Sequence, residues 1–304
     1  MGARMLRTRV SNAWAAGSGV YRQTGSPIEV ARFFGRIAAR KMLLALDKPP
    51  EPKGPAPDET TAAVPHSASS PLRGREYADF TPFECTVLAR SSANLVVSPE
   101  ASVSLMRAVG YVVENRIPGA LVECGVYAGG SVEVILRTLL DRKVTDRDIY
   151  LYDTFAGMPR PDVTDDEGLN GALRHSWEAH RTGTDGDAGS TWMRVSVETV
   201  RARLDPLGYP VTRLHYVKGM VEDTIPETIP EQIAILRLDT DFYASTKHEL
   251  VHLYPRLSPG GILIIDDYGA MPGCRRAVDE YATEHQLCWF LARLDPHVRL
   301  IIKG

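Results

Sequence analysis

The sequence has few cysteines, no long hydrophobic run and no strong excess of charge of one sign. Its 304 residues include 4 cysteines, none of them in a Cys-x-x-Cys pair, which predicts reduced thiols and no zinc site in an intracellular protein. No apolar run reaches the length of about 20 residues that spans a bilayer. The N-terminus also lacks the apolar core of a signal peptide, so we expect a cytoplasmic protein.

The charge balance and the glycine spacing disfavour two further classes of function. The formal net charge is −3 at pH 7, and no stretch interleaves basic and aromatic residues as a nucleic-acid groove does. We therefore expect no nucleic-acid partner. The glycines that follow the first predicted strand are spaced as GxxxGG rather than GxGxxG, which argues against an NAD-linked oxidoreductase.

Composition divides the chain into three parts. Residues 1–47 are basic, and within them residues 28–46 repeat an arginine every four positions among apolar residues, which predicts an amphipathic helix. Residues 48–76 are rich in Pro, Ala and Ser and have few large apolar residues, which predicts a linker. We expect residues 77–304 to form the folded domain.

Within that domain, short apolar segments alternate with segments of helical periodicity. This alternation predicts an α/β fold, Rossmann-like, with a mostly parallel sheet and right-handed crossovers. Residues 288–294 and 297–302 predict a C-terminal antiparallel hairpin. In such sheets, ligands bind beyond the carboxyl ends of the strands.

Two successive predicted strands end in acidic residues, which are Asp239, Asp241, Asp266 and Asp267. Carboxylates gathered at one edge of a sheet repel one another unless a cation lies among them. A site with only oxygen ligands suits Mg²⁺, Mn²⁺ or Ca²⁺. Each acid alone could instead cap the next helix, but two clusters at successive strand ends favour a metal site.

A glycine-rich turn and an acidic strand end predict a nucleoside site. Gly125, Gly129 and Gly130 follow the first strand, where glycine lets the backbone approach a ligand closely. The second strand ends at Asp153, which could accept hydrogen bonds from the hydroxyls of a ribose. Each feature has a simpler explanation, a tight strand–helix connection or a helix cap, but together they favour the nucleoside.

Two other segments belong to the same predicted edge. Residues 154–194 are long, polar and rich in Gly and Asp, which predicts a lid or binding segment. We expect its carboxylates, including Asp165 and Asp166, and its histidines to lie at the surface, or at most to assist catalysis. Gly219 places Met220 and Val221 at a strand tip, where an adenine could rest on them, although ordinary core packing is the alternative.

Five motifs in order carry a resemblance to a known family: LVECGVYAGGS, LYDTFAGMP, VKGMVEDTIP, LRLDTDFYAST and LSPGGILIIDDYGAMPGCRRAVDEY. Over about residues 98–303 the chain resembles the macrocin O-methyltransferases, which methylate sugar hydroxyls on antibiotics. The resemblance implies a class I methyltransferase domain at residues 77–304 that uses S-adenosylmethionine (SAM) and Mg²⁺. The chain departs from the family pattern at Ala128, Thr240 and the Met220–Val221 pair.

The resemblance also implies roles for individual residues. The methionine side of SAM would be lined by Glu123, Gly125, Val126 and Tyr127. Asp153 would hold the ribose, and the adenine would be bordered by Gly219, Met220, Val221 and Glu222. The metal ligands would be Asp239, Asp266 and Asp267. Asp241 would act as the general base.

These expectations lead to one main function and two alternatives. The main hypothesis is a Mg²⁺-dependent SAM O-methyltransferase that acts on a sugar hydroxyl of a glycosylated natural product or of a glycolipid. The alternatives are an O-methyltransferase for a catechol-like phenol, which could chelate the same metal, and a binding protein that keeps the fold without catalysis. We also expect a homo-oligomer.

The basic helix predicted at residues 28–46 suggests contact with an anionic membrane surface, although packing on the domain or on a second subunit is the simpler explanation. If the helix binds membranes, the full chain will float with anionic liposomes and a variant lacking residues 1–75 will not. Equal flotation of the two proteins would contradict tethering by this segment.

Overall fold

The computed structural model describes residues 77–183 and 189–304. The helix predicted at residues 28–46 and the linker predicted at residues 48–76 lie outside these residues. Thr81–Gly304 form one compact unit, and all elements named below belong to it.

The strands and helices of this unit alternate along most of its length, as the sequence predicts. The helices are α1 (Pro82–Ser91), α2 (Pro99–Glu114), α3 (Gly130–Asp141), α4 (Ala172–Ala179), α5 (Val197–Leu204), α6 (Val221–Thr224), α7 (Tyr243–Leu253) and α8 (Pro272–Glu284). The strands are β1 (Ala120–Cys124), β2 (Ile149–Asp153), β3 (Arg181–Thr182), β4 (Gly189–Ser190), β5 (Leu214–Lys218), β6 (Ile233–Leu238), β7 (Leu257–Ile265), β8 (Ala292–Arg293) and β9 (Arg299–Ile302).

Seven strands form one sheet in the order β5-β2-β1-β6-β7-β9-β8. The five strands from β5 to β7 are parallel, and β9 runs antiparallel to both β7 and β8. The predicted α/β fold with a mostly parallel sheet and a C-terminal antiparallel hairpin is therefore confirmed. The chain order reverses between β1 and β6, and this switch point is where open sheets of this kind bind ligands.

The central strands are buried along their whole length. Every residue of β1 and of β6 is buried, because helices cover both faces of a parallel sheet. These strands are accordingly rich in Val, Ile and Leu, and their side chains form the core together with apolar residues of α7 and α8. This core fixes the strand ends, and so it fixes the residues that follow them.

The segment that precedes β1 forms the two helices α1 and α2. The chain leaves the helical conformation between α1 and α2, at residues 92–98. Ser98 caps α2, because its side chain accepts a hydrogen bond from the backbone N–H of Ala101 at 3.1 Å. In residues 77–183 and 189–304, no helix is both long enough and apolar enough to cross a membrane.

The register of the central strands places specific side chains side by side. Glu123 of β1 lies opposite Arg237 of β6, which lies opposite Ile264 of β7. Side chains alternate between the two faces of a sheet, so residues two positions apart along a strand share a face. Asp239 and Asp266, two residues after Arg237 and Ile264, are thereby directed to the face that carries Glu123 and Arg237.

Candidate active site

Three carboxylates meet at the carboxyl edge of the sheet, beyond β6 and β7. Asp239, Asp266 and Asp267 each offer an oxygen atom, and these three atoms lie within 4.8 Å of one another. The backbone N–H of Asp239 donates to the carbonyl of Cys124, and that of Asp266 donates to the carbonyl of Leu238, so both acids extend the strand ladder. The structure thus brings together the three residues expected to bind a metal.

A buried arginine contacts two of these carboxylates, and the sequence analysis did not single it out. Arg237 Nη1 lies 2.7 Å from Asp239 Oδ2 and 2.5 Å from Glu123 Oε1, while Nη2 lies 2.6 Å from Asp266 Oδ1. The arginine is only 2 % exposed. The only signal in the sequence is a single charged residue within an otherwise apolar strand.

One guanidinium does not compensate all the negative charge at this edge. Burial, and then repulsion from neighbouring carboxylates, raises the pKa of Asp241 and of Asp267 well above the ordinary range. Burial also raises the pKa of Asp239 well above that range, although attraction to Arg237 opposes the shift. Burial is the largest cause of each of these shifts, and repulsion between the carboxylates adds to it.

The donor set and spacing of the three carboxylates fit a divalent cation. Mg²⁺ takes oxygen ligands at about 2.0–2.1 Å, so two of its ligands are at most about 4.2 Å apart. The spread of up to 4.8 Å between the oxygens of Asp239, Asp266 and Asp267 exceeds this limit by only a few tenths of an ångström. A small contraction would complete the site, and the cation would also offset the repulsion described above.

Asp241 stands beside this group in an unusual backbone conformation. Its φ angle is 67°, in the left-handed region that Asp tolerates better than most residues. Its backbone N–H donates to Asp267 Oδ2 at 3.1 Å. A strained conformation that is held by its neighbours is typical of functional sites. The structure thus places the expected general base next to the expected metal ligands.

A buried carboxyl group of α7 hydrogen-bonds the loop that joins β6 to α7. Glu249 of α7 is fully buried and accepts hydrogen bonds from Thr240 Oγ1 at 3.0 and 3.2 Å. Burial raises its pKa well above the ordinary range. Glu249 thus holds Thr240, the residue between Asp239 and Asp241. The sequence analysis missed it because nothing in a helix pattern marks a buried acid.

The glycine turn after β1 contacts the first of the residues expected to bind a metal. Gly125 has a φ angle of 87°, and a Cβ atom placed there would lie 1.9 Å from the carbonyl oxygen of Asp239. Only glycine fits a backbone contact this close. The turn expected to hold the cofactor and the loop that begins at Asp239 are therefore packed directly against each other.

Asp153 organises this turn from the end of β2. Its Oδ2 atom accepts hydrogen bonds from the backbone N–H groups of Val126 and Tyr127, both at 2.8 Å. Its Oδ1 atom accepts one from the backbone N–H of Phe155 at 2.6 Å. The sequence analysis expected Asp153 to hold a ribose. In the structure it holds the glycine turn, and Oδ1 also accepts a long contact of 3.5 Å from Thr154 Oγ1.

Glu123 has one oxygen engaged and one without a partner. Oε1 pairs with Arg237, whereas Oε2 is buried and has no hydrogen-bond partner. Burial raises the pKa of Glu123 to about 7, although attraction to Arg237 opposes the shift. A buried polar atom without a partner is costly unless a ligand or water satisfies it. The unpartnered oxygen fits the expected place of Glu123 on the cofactor side of the site.

The residues expected to border an adenine follow β5. Gly219 has a φ angle of 145°, and Met220 precedes the short helix α6. Val221 is 5 % exposed and belongs to the hydrophobic core, which supports the alternative of ordinary core packing for this residue. Glu222 Oε2 is buried without a hydrogen-bond partner. Met220 and Glu222 therefore keep side-chain surface or polar capacity for a ligand.

The described residues of the segment at 154–194 contact the loop that carries Asp241 through the start of α7. The segment contains α4 and the antiparallel pair β3–β4.

The expectation that Asp165 and Asp166 lie at the surface is wrong, since they are 4 % and 5 % exposed. Asp165 Oδ1 accepts a hydrogen bond of 2.7 Å from the backbone N–H of Tyr243, at the start of α7. Asp166 accepts hydrogen bonds from the backbone and from the side chain of Arg174. His175 and His180 are exposed, as expected.

The fold and the site define the class of the protein. A mostly parallel sheet with a glycine turn after β1 and an acid after β2 is the architecture of class I SAM-dependent methyltransferases. A sequence model of the family described as Macrocin-O-methyltransferase (TylF) matches residues 100–299. The chain belongs to this family and is a SAM-dependent O-methyltransferase.

Individual relatives agree with this assignment. The chain is 32 % identical over 205 residues to "Demethyldecarbamoylnovobiocin O-methyltransferase" of Streptomyces niveus, covering 67 % of this chain and 74 % of that protein. The same identity and coverage hold for "8-demethyl-8-(2,3-dimethoxy-alpha-L-rhamnosyl)-tetracenomycin-C 4'-O-methyltransferase" of Streptomyces olivaceus. The solved structure of the O-methyltransferase NovP superposes with a TM-score of 0.61 at 28 % identity, covering 69 % of this chain and 82 % of NovP.

The contact between the glycine turn and Asp239 leads to a mutational prediction. Gly125→Ala should abolish binding of S-adenosylhomocysteine, the product form of the cofactor, and lower the free energy of unfolding by more than the cost of backbone strain alone, about 1–2 kcal/mol. Gly208→Ala is a matched control, because Gly208 has a similar φ of 93° but nothing within 4 Å of its added Cβ. Calorimetric titration and urea unfolding measure both effects. Similar behaviour of the two variants would show that the contact is unimportant.

Proposed function

We propose that this protein transfers the methyl group of SAM to a hydroxyl of a sugar carried by a small-molecule natural product, in a reaction that requires Mg²⁺. The observation that carries the proposal is the group of three carboxylates, Asp239, Asp266 and Asp267, with Asp241 beside it and the glycine turn packed against it.

The proposed sugar acceptor is supported by the relatives. One of them is named for action on a tetracenomycin that carries a rhamnosyl group, and another for action on a novobiocin derivative. A glycolipid acceptor, contact of residues 28–46 with an anionic membrane and assembly into a homo-oligomer stay predictions from the sequence. Liposome flotation tests the membrane contact, and light scattering in solution tests the assembly.

The residues around the cofactor would bind and orient it. Bound SAM supplies an electrophilic methyl group on a sulfonium. The turn that begins at Gly125 would hold the methionine part, and the unpartnered Glu123 Oε2 offers an acceptor to its ammonium group. Asp153 keeps the turn in shape by accepting from Val126 and Tyr127. Holding the two reactants at near-attack distance contributes much of the rate in reactions of this kind.

Asp241 would remove the proton from the acceptor hydroxyl. An alcohol holds its proton tightly at neutral pH, so its attack on a methyl group needs a base within reach. Asp239, Asp266 and Asp267 would hold Mg²⁺, which when bound supplies Lewis acidity that lowers the pKa of a nearby hydroxyl. Asp267 fixes the backbone of Asp241 in place, so the base and the metal-binding group keep a constant relation.

The role of Asp241 predicts a specific kinetic effect. Asp241→Asn should lower kcat by about 10²–10⁴-fold, the usual contribution of a general base. Binding of S-adenosylhomocysteine should remain, because Asn also tolerates the left-handed conformation. Steady-state kinetics with radiolabelled SAM gives kcat, and calorimetry gives the affinity. Asp223→Asn, a change at an exposed acid of α6, is the control. A kcat close to that of the wild-type chain would contradict the assignment of the base.

An acceptor panel tests the proposed function as a whole. Glycosides with two adjacent free sugar hydroxyls should accept the radiolabelled methyl group in the presence of Mg²⁺. Chelation by EDTA should abolish the transfer, and Mg²⁺ in excess should restore it. Glycosides with one of the two hydroxyls blocked, and simple catechols, complete the panel. Transfer to catechols alone would favour the phenolic alternative, and full turnover in EDTA would remove the metal from the mechanism.

A further inference from the structure

We propose that Arg237 is a positioning residue that aims the metal-binding oxygens of Asp239 and Asp266 and ties them to Glu123 on the cofactor side. This inference rests on the metal-dependent function proposed above. It concerns a residue that does not touch the acceptor or the methyl group, and that acts through the carboxylates it holds.

In both Asp239 and Asp266, the guanidinium contacts only one of the two carboxylate oxygens. Arg237 Nη1 contacts Asp239 Oδ2 at 2.7 Å, and Nη2 contacts Asp266 Oδ1 at 2.6 Å. Each carboxylate therefore has one oxygen engaged by the guanidinium and keeps the opposite oxygen for a cation. Groups that hydrogen-bond the ligands of a metal in this way fix ligand orientation and strengthen metal binding.

The arginine joins three neighbouring strands. Its Nη1 atom also contacts Glu123 Oε1 at 2.5 Å, so its partners lie at the ends of β1, β6 and β7. The Arg237 side chain is 3 % exposed, so these contacts are shielded from solvent. One rigid group thereby sets the spacing between the cofactor side of the site and the two acids of the metal side.

The shape of the guanidinium is as important here as its charge. A guanidinium is planar and presents donors in a fixed fork, whereas a lysine ammonium is a single flexible point charge. Lysine at this position would keep the positive charge among the carboxylates but would not bridge Glu123, Asp239 and Asp266 in fixed directions. Arg237→Lys therefore separates orientation of the ligands from neutralisation of their charge.

The test measures binding of Mn²⁺, a spectroscopic substitute for Mg²⁺, by electron paramagnetic resonance. Arg237→Lys should weaken Mn²⁺ binding by about 10–100-fold, the usual effect of losing a group that orients metal ligands. Binding of S-adenosylhomocysteine, measured in EDTA, should change much less. Arg213→Lys is the matched control, because Arg213 pairs with Asp148 at the opposite edge of the sheet. This control should bind Mn²⁺ as the wild-type chain does.

Each outcome of this test decides a different question. Equal Mn²⁺ binding by Arg237→Lys and the wild-type chain would overturn the inference and leave the proposed function intact. Loss of Mn²⁺ and S-adenosylhomocysteine binding to the same degree would also overturn it, because the arginine would then support the fold in general. A wild-type chain that binds no Mn²⁺ would remove both the inference and the metal-dependent function.

A crystal structure of the wild-type chain with Mn²⁺ provides a second measurement that needs no variant. We expect Arg237 to keep its contacts with Asp239 and Asp266 while the opposite oxygen of each acid binds the ion. A guanidinium displaced from both acids by the ion would overturn the inference, since the arginine would then only occupy the site in the absence of metal.

Discussion

The guanidinium of Arg237 contacts three carboxylates that are attached to three neighbouring strands, and two further acids lie beside them. Two like charges about 4 Å apart repel by about 4 kcal/mol at the effective dielectric constant of about 20 that suits protein sites. One cation offsets only part of such repulsion. Burial first, and the neighbouring carboxylates in addition, raise the pKa values of Asp239, Asp241 and Asp267. A second cation at this place would reduce the repulsion. The site is therefore suited to chemistry that uses a bound cation.

The surrounding structure holds these charges in place rather than letting them separate. Gly125 allows the cofactor turn to lie against the backbone of Asp239, and Asp267 holds Asp241 in a left-handed conformation. Asp165, from the long segment before α5, caps the helix that starts just after Asp241. The glycine turn, the group of acids and the segment that contains Asp165 are thus packed against one another. A substitution in one of them should therefore alter the geometry of the others.

The sequence predicted the fold and the location of the site well, because both follow from local rules. Alternating apolar and helical segments indicate a parallel sheet, and the carboxyl ends of parallel strands meet at one edge. Asp239 and Asp266 consequently had to lie near each other, and the structure places them together.

Features that depend on long-range contacts could not be predicted. The role of Arg237 depends on the register of β6 against β1 and β7, which a single sequence does not reveal. Burial of Asp165 depends on α7 and α8, which pack over its segment from far away in the chain. The polar composition of that segment suggested exposure instead. The hydrogen bonds of Asp153 to the glycine turn, like the burial of Glu249, became visible only in three dimensions.

The account depends on the claim that the group of three carboxylates holds a divalent cation. Calorimetric titration of Mg²⁺ tests this claim most directly. The account predicts one binding site in the wild-type chain that is lost in Asp267→Asn, and the absence of any Mg²⁺ binding by the wild-type chain, or binding that Asp267→Asn leaves unchanged, would contradict it.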